Sequence, residues 1–280
     1  MVILKDVLIS CADILKACVP SPFMEAEIIL GHIILKDSLY IKTHPDLTLT
    51  EETEKLAYSL CQRRAKGEPV AYITGTKEFM SLEFEVNSNV LIPRPDTEII
   101  TEYIIEKYRN RAPKILDLCT GSGAIAISLA KYIVNSQITA TDISKDALEV
   151  AERNAKKHNV DQRIDFLVKD ALKDYEFYDK FDIVVSNPPY IETSVISSLM
   201  KDVSEYEPKL ALDGGEDGLI FYKKTVNNIR KILKPGGELV FEIGYNQGKS
   251  VSEIMEKDFS FVQVSKDFGN NDRMVTGQLR

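Results

Sequence analysis

An α/β fold with a mostly parallel sheet covered on both faces, preceded by a small all-helical domain, is what this 280-residue sequence predicts. Three observations carry that expectation. Over residues 1–75 apolar side chains recur at spacings of three and four, with no strand signal. Over residues 76–95 the period falls to two, as in a half-exposed strand. Beyond residue 98 short apolar runs alternate with amphipathic stretches, the pattern of a parallel sheet wrapped by helices. The length suits one large domain and one small one better than a single core. The expected division is a helical bundle at 1–75, a β-hairpin linker at 76–95 and an α/β domain at 96–280.

The elements follow in order. Residues 2–19 carry Ile3, Leu4, Val7, Leu8, Cys11, Ile14, Leu15 and Cys18 on one helical face, and Pro20 and Pro22 end that helix. A second helix spans 23–35, with Ala26, Ile29, Leu30 and Ile33 turned inward. Residues 45–50 read as a loop. Thr50 caps a third helix whose first turn holds Glu51 and Glu52, and Gly67 and Pro69 stop it. In the linker, Leu82, Phe84 and Val86 alternate with Glu83 and Glu85. Asn87-Ser88-Asn89 has turn chemistry, and Val90, Leu91 and Ile92 form the returning arm. Pro93 and Pro95 hold Arg94 extended, and Asp96 or Thr97 caps the helix that has Glu98 in its first turn. Arg94, Thr97 and Glu98 either line a site or only join the two domains.

Strands are expected at 114–118, 137–141, 163–168, 181–186 and 238–243, with helices at 124–134, 145–157 and 218–233. Lys234-Pro235-Gly236-Gly237 is a turn into the fifth strand. A closing pair at 259–264 and 274–277 brings the sheet to seven strands.

Composition narrows the functions. Hydrophobic residues make up 44% and charged residues 28%, ordinary values for a globular chain, and no apolar run reaches the roughly 18–20 residues of a membrane helix. The first twenty residues lack the layout of a signal peptide, so a cytoplasmic monomer away from membranes is expected. The formal charge of −8 disfavours a phosphate backbone as partner, and no stable nucleic-acid complex is expected. The cluster Arg63, Arg64 and Lys66 reads as a solvated helix end. Cys11, Cys18, Cys61 and Cys119 contain no C-x-x-C pair, and His32, His44 and His158 are scattered, so neither a metal site nor a disulfide framework is expected. Cys11, Cys18 and Cys61 read as small buried hydrophobes.

Ligands on such sheets sit outside the carboxyl ends of the strands. The first strand ends in Asp117-Leu118-Cys119-Thr120-Gly121-Ser122-Gly123, a tight turn where backbone can approach a ligand closely. Gly121-x-Gly123-x-x-Ala126 also fits a dinucleotide fingerprint, and Asp142 lies 142 − 123 = 19 residues on, placed for ribose hydroxyls in either case. Asp117 suits the ammonium of a methionyl group and sits poorly beside a pyrophosphate. Asp170, before Ala171, can accept from an adenine amino group. The fourth strand breaks into Asn187-Pro188-Pro189-Tyr190. The side-chain oxygen of Asn187 and the carbonyl of Pro188 can each accept one N–H of a planar –NH₂, the prolines stiffen the turn, and Tyr190 can close over the planar group. Together these residues predict methyl transfer from S-adenosylmethionine to an amide or amino nitrogen.

With those residues in view the sequence resembles the release factor glutamine methyltransferases, the PrmC/HemK family. The likeness runs nearly the whole length. It includes Arg63-Arg64-x-x-Gly67-Glu68-Pro69-x-Ala71-Tyr72-Ile73-x-Gly75, Phe79 and Phe84, and Leu91-Ile92-Pro93-Arg94-Pro95-Asp96-Thr97-Glu98. The loop at 117–123, Asn187 to Tyr190, Tyr206-Glu207-Pro208 with Ala211-Leu212, and Gly214-Gly215-x-Asp217-Gly218-Leu219 continue it. The resemblance implies a class I, Rossmann-like methyltransferase domain. It implies methylation of the glutamine side-chain amide in the Gly-Gly-Gln loop of class I peptide chain release factors, within translation termination. Asn187 and Pro188 would hold the amide as the catalytic pair, with Pro189 and Tyr190 completing the substrate site. Asp117, Cys119, Thr120, Gly121, Ser122, Gly123, Asp142, Asp170, Ala171 and Asn187 would hold the cofactor, and the helical domain the release factor body. Cys119 stands where the family often has glycine, which suits a negative φ and costs more at a positive one. Ala171 stands where some relatives carry a larger residue, which loosens adenine packing.

Three other readings compete. A nucleic-acid amino methyltransferase would use the same clamp on a flipped adenine or guanine, against the acidic balance. A nicotinamide oxidoreductase would explain the glycine loop but not Asn-Pro-Pro-Tyr. A binding scaffold with a vestigial site would not need acids at 117, 142 and 170.

Overall fold

The computed structural model describes residues 2–173, 177 and 179–280. The chain separates into two compact units, Met1–Thr76 with Met200–Tyr206, and Lys77–Leu199 with Glu207–Arg280. No helix among the described residues is long and apolar enough to cross a membrane.

The first unit holds β1 (Val2–Ile3), α1 (Leu4–Leu15), α2 (Pro22–Ile34), α3 (Ser38–Thr43), β2 (Thr48–Leu49), α4 (Glu51–Ala65) and α5 (Val70–Thr74). Its core draws Leu4, Val7, Cys11 and Leu15 from α1, Ala26, Ile29 and Leu30 from α2, and Ala57, Leu60 and Cys61 from α4. Thr50 caps α4 as its sequence demands, its side chain accepting from the Thr53 N–H at 3.1 Å. Val2 and Ile3 are not helical but pair antiparallel with Leu49 and Thr48, in a stretch read as loop. A two-residue strand is too short to show a period. α1 stops at Leu15, so Cys18 falls off the buried face and is exposed. The helices α3 and α5 are too short to carry a periodic signal. Arg64 is not a solvated helix end. It is buried, with Glu25 at 2.5 Å and Asp202 at 3.7 Å, while Arg63 pairs with Glu68 at 2.5 Å.

The second unit begins with a small two-stranded sheet, β3 (Thr76–Phe79) and β4 (Leu82–Glu85). The hairpin turn is therefore at Met80 and Ser81, whose φ values are 51° and 57°, and not at residues 87–89. Neither residue is a glycine or asparagine, which is why the turn was hidden in the sequence. Val90 and Ile92 are buried but form no strand; the Ile92 N–H goes to the Glu207 carboxylate at 3.3 Å.

The rest of the unit runs α6 (Glu98–Tyr108), β5 (Lys114–Leu118), α7 (Ala124–Tyr132), β6 (Gln137–Asp142), α8 (Lys145–Lys157), β7 (Ile164–Val168) and β8 (Phe181–Ser186). After the single turn α9 (Lys201–Ser204), which belongs to the first unit, come α10 (Ile220–Ile232), β9 (Leu233–Glu242), α11 (Gly248–Met255), β10 (Phe259–Lys266) and β11 (Asp272–Leu279). The seven strands lie in the order β10-β11-β9-β8-β5-β6-β7. The five from β5 to β9 are parallel, and β11 runs antiparallel between β9 and β10. Alternate strand residues feed opposite faces. Ile115, Ile183 and Val185 pack with α6 and α7, whereas Leu116, Val184 and Leu239 pack with α10 and α11. β9 absorbs the turn expected at 234–237: Phe181 opposes Leu233 and Ile183 opposes Glu238, with Gly236 at φ 73° in the bulge between.

The buried Arg64 supplies a stability test. Arg64→Ala should lower the unfolding free energy by about 3 kcal/mol, because it strands the Glu25 carboxylate. Urea unfolding of the full chain measures it, and adding Glu25→Gln should recover part of the loss.

Candidate active site

The sheet order reverses between β5 and β8, and the loops leaving those two strands meet there. Leu118 opposes Ser186 across the pair, and the Ser186 hydroxyl donates to the Leu118 carbonyl at 2.7 Å. Cys119 and Asn187, the next residue on each strand, therefore emerge side by side.

The loop at residues 119–123 alternates backbone hand. Cys119, Gly121 and Gly123 have φ of 62°, 56° and 81°. Gly123 is glycine for packing as well, since a Cβ there would come within 2.7 Å of Ile127 and 3.1 Å of Ala151. A Cβ on Gly121 would meet nothing within 4 Å, because that position faces open space. Cys119 holds a left-handed conformation without being glycine, so the family glycine it replaces is the residue this backbone suits. Burial pushes its thiol well above the ordinary range, so the thiol is protonated at neutral pH.

Asp117 is fully buried under this loop. Its carboxylate accepts the Thr120 hydroxyl at 2.6 Å, and its other oxygen has no partner among the described residues. Burial pushes the carboxyl up to about 7. Asp117 thus supports the loop from below and does not line the cavity. Asp142 ends β6 and holds the loop from the side. Its two oxygens accept the Gly121 and Ser144 N–H groups, each at 2.9 Å, and burial raises its pKa against those bonds. Asp170 closes a turn after β7 by accepting the Leu172 N–H at 2.9 Å. Turn formation and cavity lining are combined in both acids.

A cavity at these strand ends is lined by Asp142, Asp170, Ala171, Leu172, Val90, Leu91 and Pro208, with Cys119, Gly121, Asn187 and Pro189. An adjoining cavity is lined by Pro93, Arg94, Thr97, Thr120, Ser122 and Ala124, and shares Leu91, Cys119, Gly121 and Asn187 with the first. Arg94 and Thr97 therefore do line the site. Glu98 does not; it accepts the Met80 N–H at 2.6 Å and braces the hairpin turn. Thr97 makes no helix cap either, because its hydroxyl accepts the Asn187 Nδ2–H at 3.1 Å. Arg94 is paired with the buried Glu207. Pro188 is buried and Tyr190 is packed against the α10 side of the sheet with its hydroxyl toward Glu242, so neither lines either cavity. Val90, Leu91 and Ile143 line the first cavity without being expected there, and Glu242 is buried near Thr97 without lining either cavity. In the sequence Val90 and Leu91 read as a strand arm, and Glu242 lies inside an apolar run.

The fit to a donor is chemical. Two carboxylates facing one cavity suit hydroxyl, amino and ammonium donors and repel a pyrophosphate, and the apolar wall of Leu91, Ile143, Ala171 and Leu172 suits an adenine ring. Loop strain gives the test: Cys119→Gly should match or exceed the native thermal midpoint, while Cys119→Val should cost about 1–3 kcal/mol, read by calorimetry.

Known proteins match this chain in both of its parts. Residues 6–75 match the family described as PrmC N-terminal domain and residues 110–276 the family described as Methyltransferase domain. The chain is 42% identical over 276 residues to the release factor glutamine methyltransferase of Clostridium acetobutylicum, covering 97% of each chain. It is 41% identical over 277 residues to that of Clostridium botulinum, covering 98% of each. A solved methyltransferase from Pyrococcus furiosus aligns with TM-score 0.53 at 19% identity, over 77% of this chain and 95% of that one, and shares the fold. The chain belongs to the release factor glutamine methyltransferase family, and its methyl donor is S-adenosylmethionine.

Proposed function

We propose that this enzyme methylates the side-chain amide nitrogen of the glutamine in the Gly-Gly-Gln motif of class I release factors, as a cytoplasmic monomer. The observation that carries the reading is the position of Asn187, at the end of β8 and on the wall of both cavities. One cavity takes the donor and the other opens toward the acceptor, so the residue between them handles the nitrogen that receives the methyl. The relatives whose names carry this activity match almost the whole chain.

The chemistry is a problem of positioning. An amide nitrogen delocalises its lone pair and is scarcely basic, so a general base contributes little before transfer. No histidine lines either cavity among the described residues. S-adenosylmethionine supplies an electrophilic methyl on a cationic sulfur. The Asn187 oxygen, on the wall of both cavities, accepts an N–H bond of the substrate amide, which orients the group and raises electron density on nitrogen. Such alignment supplies about 7–11 kcal/mol of a barrier. Pro189 stiffens the turn, and Tyr190 wedges it from behind. Asp142 takes ribose hydroxyls, Asp170 and Ala171 the adenine edge, and the 119–123 loop the methionyl end, with Asp117 beneath. The proton leaves to solvent after transfer. The helical unit recognises the body of the release factor.

Purified enzyme with labelled cofactor should place one methyl on the Gly-Gly-Gln glutamine; transfer to RNA or DNA in its stead would overturn the reading. Asn187→Ala should reduce turnover by about 10²-fold or more while cofactor affinity stays within about tenfold. Asp142→Ala should weaken cofactor binding by about tenfold in calorimetry, since it unpins the loop as well as losing an acceptor.

A further inference from the structure

Asn187 has two chemically different ends, and only its oxygen can accept from a substrate –NH₂. The clamp therefore needs the amide held one way round. Its Nδ2 donates to the Thr97 hydroxyl at 3.1 Å, which leaves Oδ1 for the cavity. A hydroxyl alone does not enforce that orientation, because it donates to an amide oxygen as readily as it accepts from an amide nitrogen. The tie must be broken by whatever holds the hydroxyl proton.

Glu242, the last residue of β9, is placed to do so. It is 1% exposed, its carboxylate lies against the Thr97 and Tyr190 hydroxyls, and its Oε2 has no hydrogen-bond partner among the described residues. An ionised carboxylate can only accept. With the Thr97 proton drawn to Glu242, the hydroxyl offers Asn187 lone pairs alone, and the amide must turn its nitrogen to Thr97. We propose that Thr97 and Glu242 are positioning residues that set the polarity of the Asn187 amide, so that its oxygen faces the substrate nitrogen. The proposal rests on the reading of Asn187 as an amide clamp, and both residues act through Asn187.

The relay works only while Glu242 is ionised. Burial raises its carboxyl to about 7. Arg273 from β11 favours the charged form, and Asp96 from the turn before α6 opposes it. The Tyr190 hydroxyl also favours the charged form, and the Tyr222 hydroxyl from α10 donates to the Glu242 backbone carbonyl at 2.9 Å. Above pH about 7 the carboxylate accepts and the polarity holds. As pH falls through that value a protonated Glu242 can donate to Thr97, and the hydroxyl can then donate to the Asn187 oxygen and withdraw it from the substrate.

The test is methyl transfer to an intact release factor across pH 5.5–9, with cofactor affinity measured separately. Wild type should lose kcat on the acid side with a midpoint near the Glu242 value. Thr97→Val should lower kcat by about tenfold or more, with cofactor affinity within about threefold, and Thr97→Ser should restore most of it. Glu242→Gln should lower kcat and flatten the acid limb. In wild type the Asn187 side-chain ¹⁵N–¹H resonances should move with the same midpoint, a readout that needs neither turnover nor a variant. Full kcat in Thr97→Val, an unchanged acid limb in Glu242→Gln, or Asn187 resonances indifferent to pH would overturn the proposal. An active-looking relay in the resonances with no transfer to a release factor would instead sink the functional reading.

Discussion

The pairing of β5 with β8 is the constraint on which the site depends. These strands are separated by two strand–helix excursions in sequence, yet lie hydrogen-bonded side by side. Their register sets Leu118 against Ser186, and the Ser186 hydroxyl locks that level by bonding the Leu118 carbonyl. One residue further on, Cys119 starts the left-handed loop and Asn187 starts the proline turn. A slip of one residue would turn every side chain of a strand to the opposite face and separate the two. The apolar residues that prevent the slip are buried on both faces, Ile115 and Ile183 on one and Leu116 and Val184 on the other. The geometry of the candidate site follows from core packing.

Acidic groups build the site in two tiers. Asp142 and Asp170 face the cavity, and each also ties down the turn that carries it. Asp117 and Glu242 lie beneath, fully buried, each with one oxygen left without a partner among the described residues. Burying a carboxylate is costly, which is why both are pushed up to about 7. Their effect is exerted on neighbours, Asp117 on the loop through Thr120 and Glu242 on the Thr97 and Tyr190 hydroxyls. Carboxyl groups held behind rigid backbone suit a cationic donor, since fixed groups need no reorganisation when charge changes.

The sequence by itself determined the alternation of strands and helices, because periods of two and 3.6 residues are local properties. It also offered the candidate residues at each strand end, because Asp142, Asp170 and Asn187 are recognisable by type and by position after an apolar run. What only the tertiary structure decided depends on partners distant in sequence. The hydroxyl of Thr97 reads as a helix cap until Asn187, ninety residues away, takes it. Glu242 reads as the polar end of a strand until burial places it against the same hydroxyl. Tyr190 reads as a lid until packing turns it toward α10. Arg64 reads as solvated until Glu25 and Asp202 close on it. The β3–β4 turn at Met80 and Ser81 has no turn residues to announce it, and its backbone is fixed by the Glu98 carboxylate and the Tyr132 hydroxyl. Local pattern gives a residue its capacity to donate, accept or pack; which capacity is used is fixed by the non-local neighbour that satisfies it, and that neighbour is chosen by the fold.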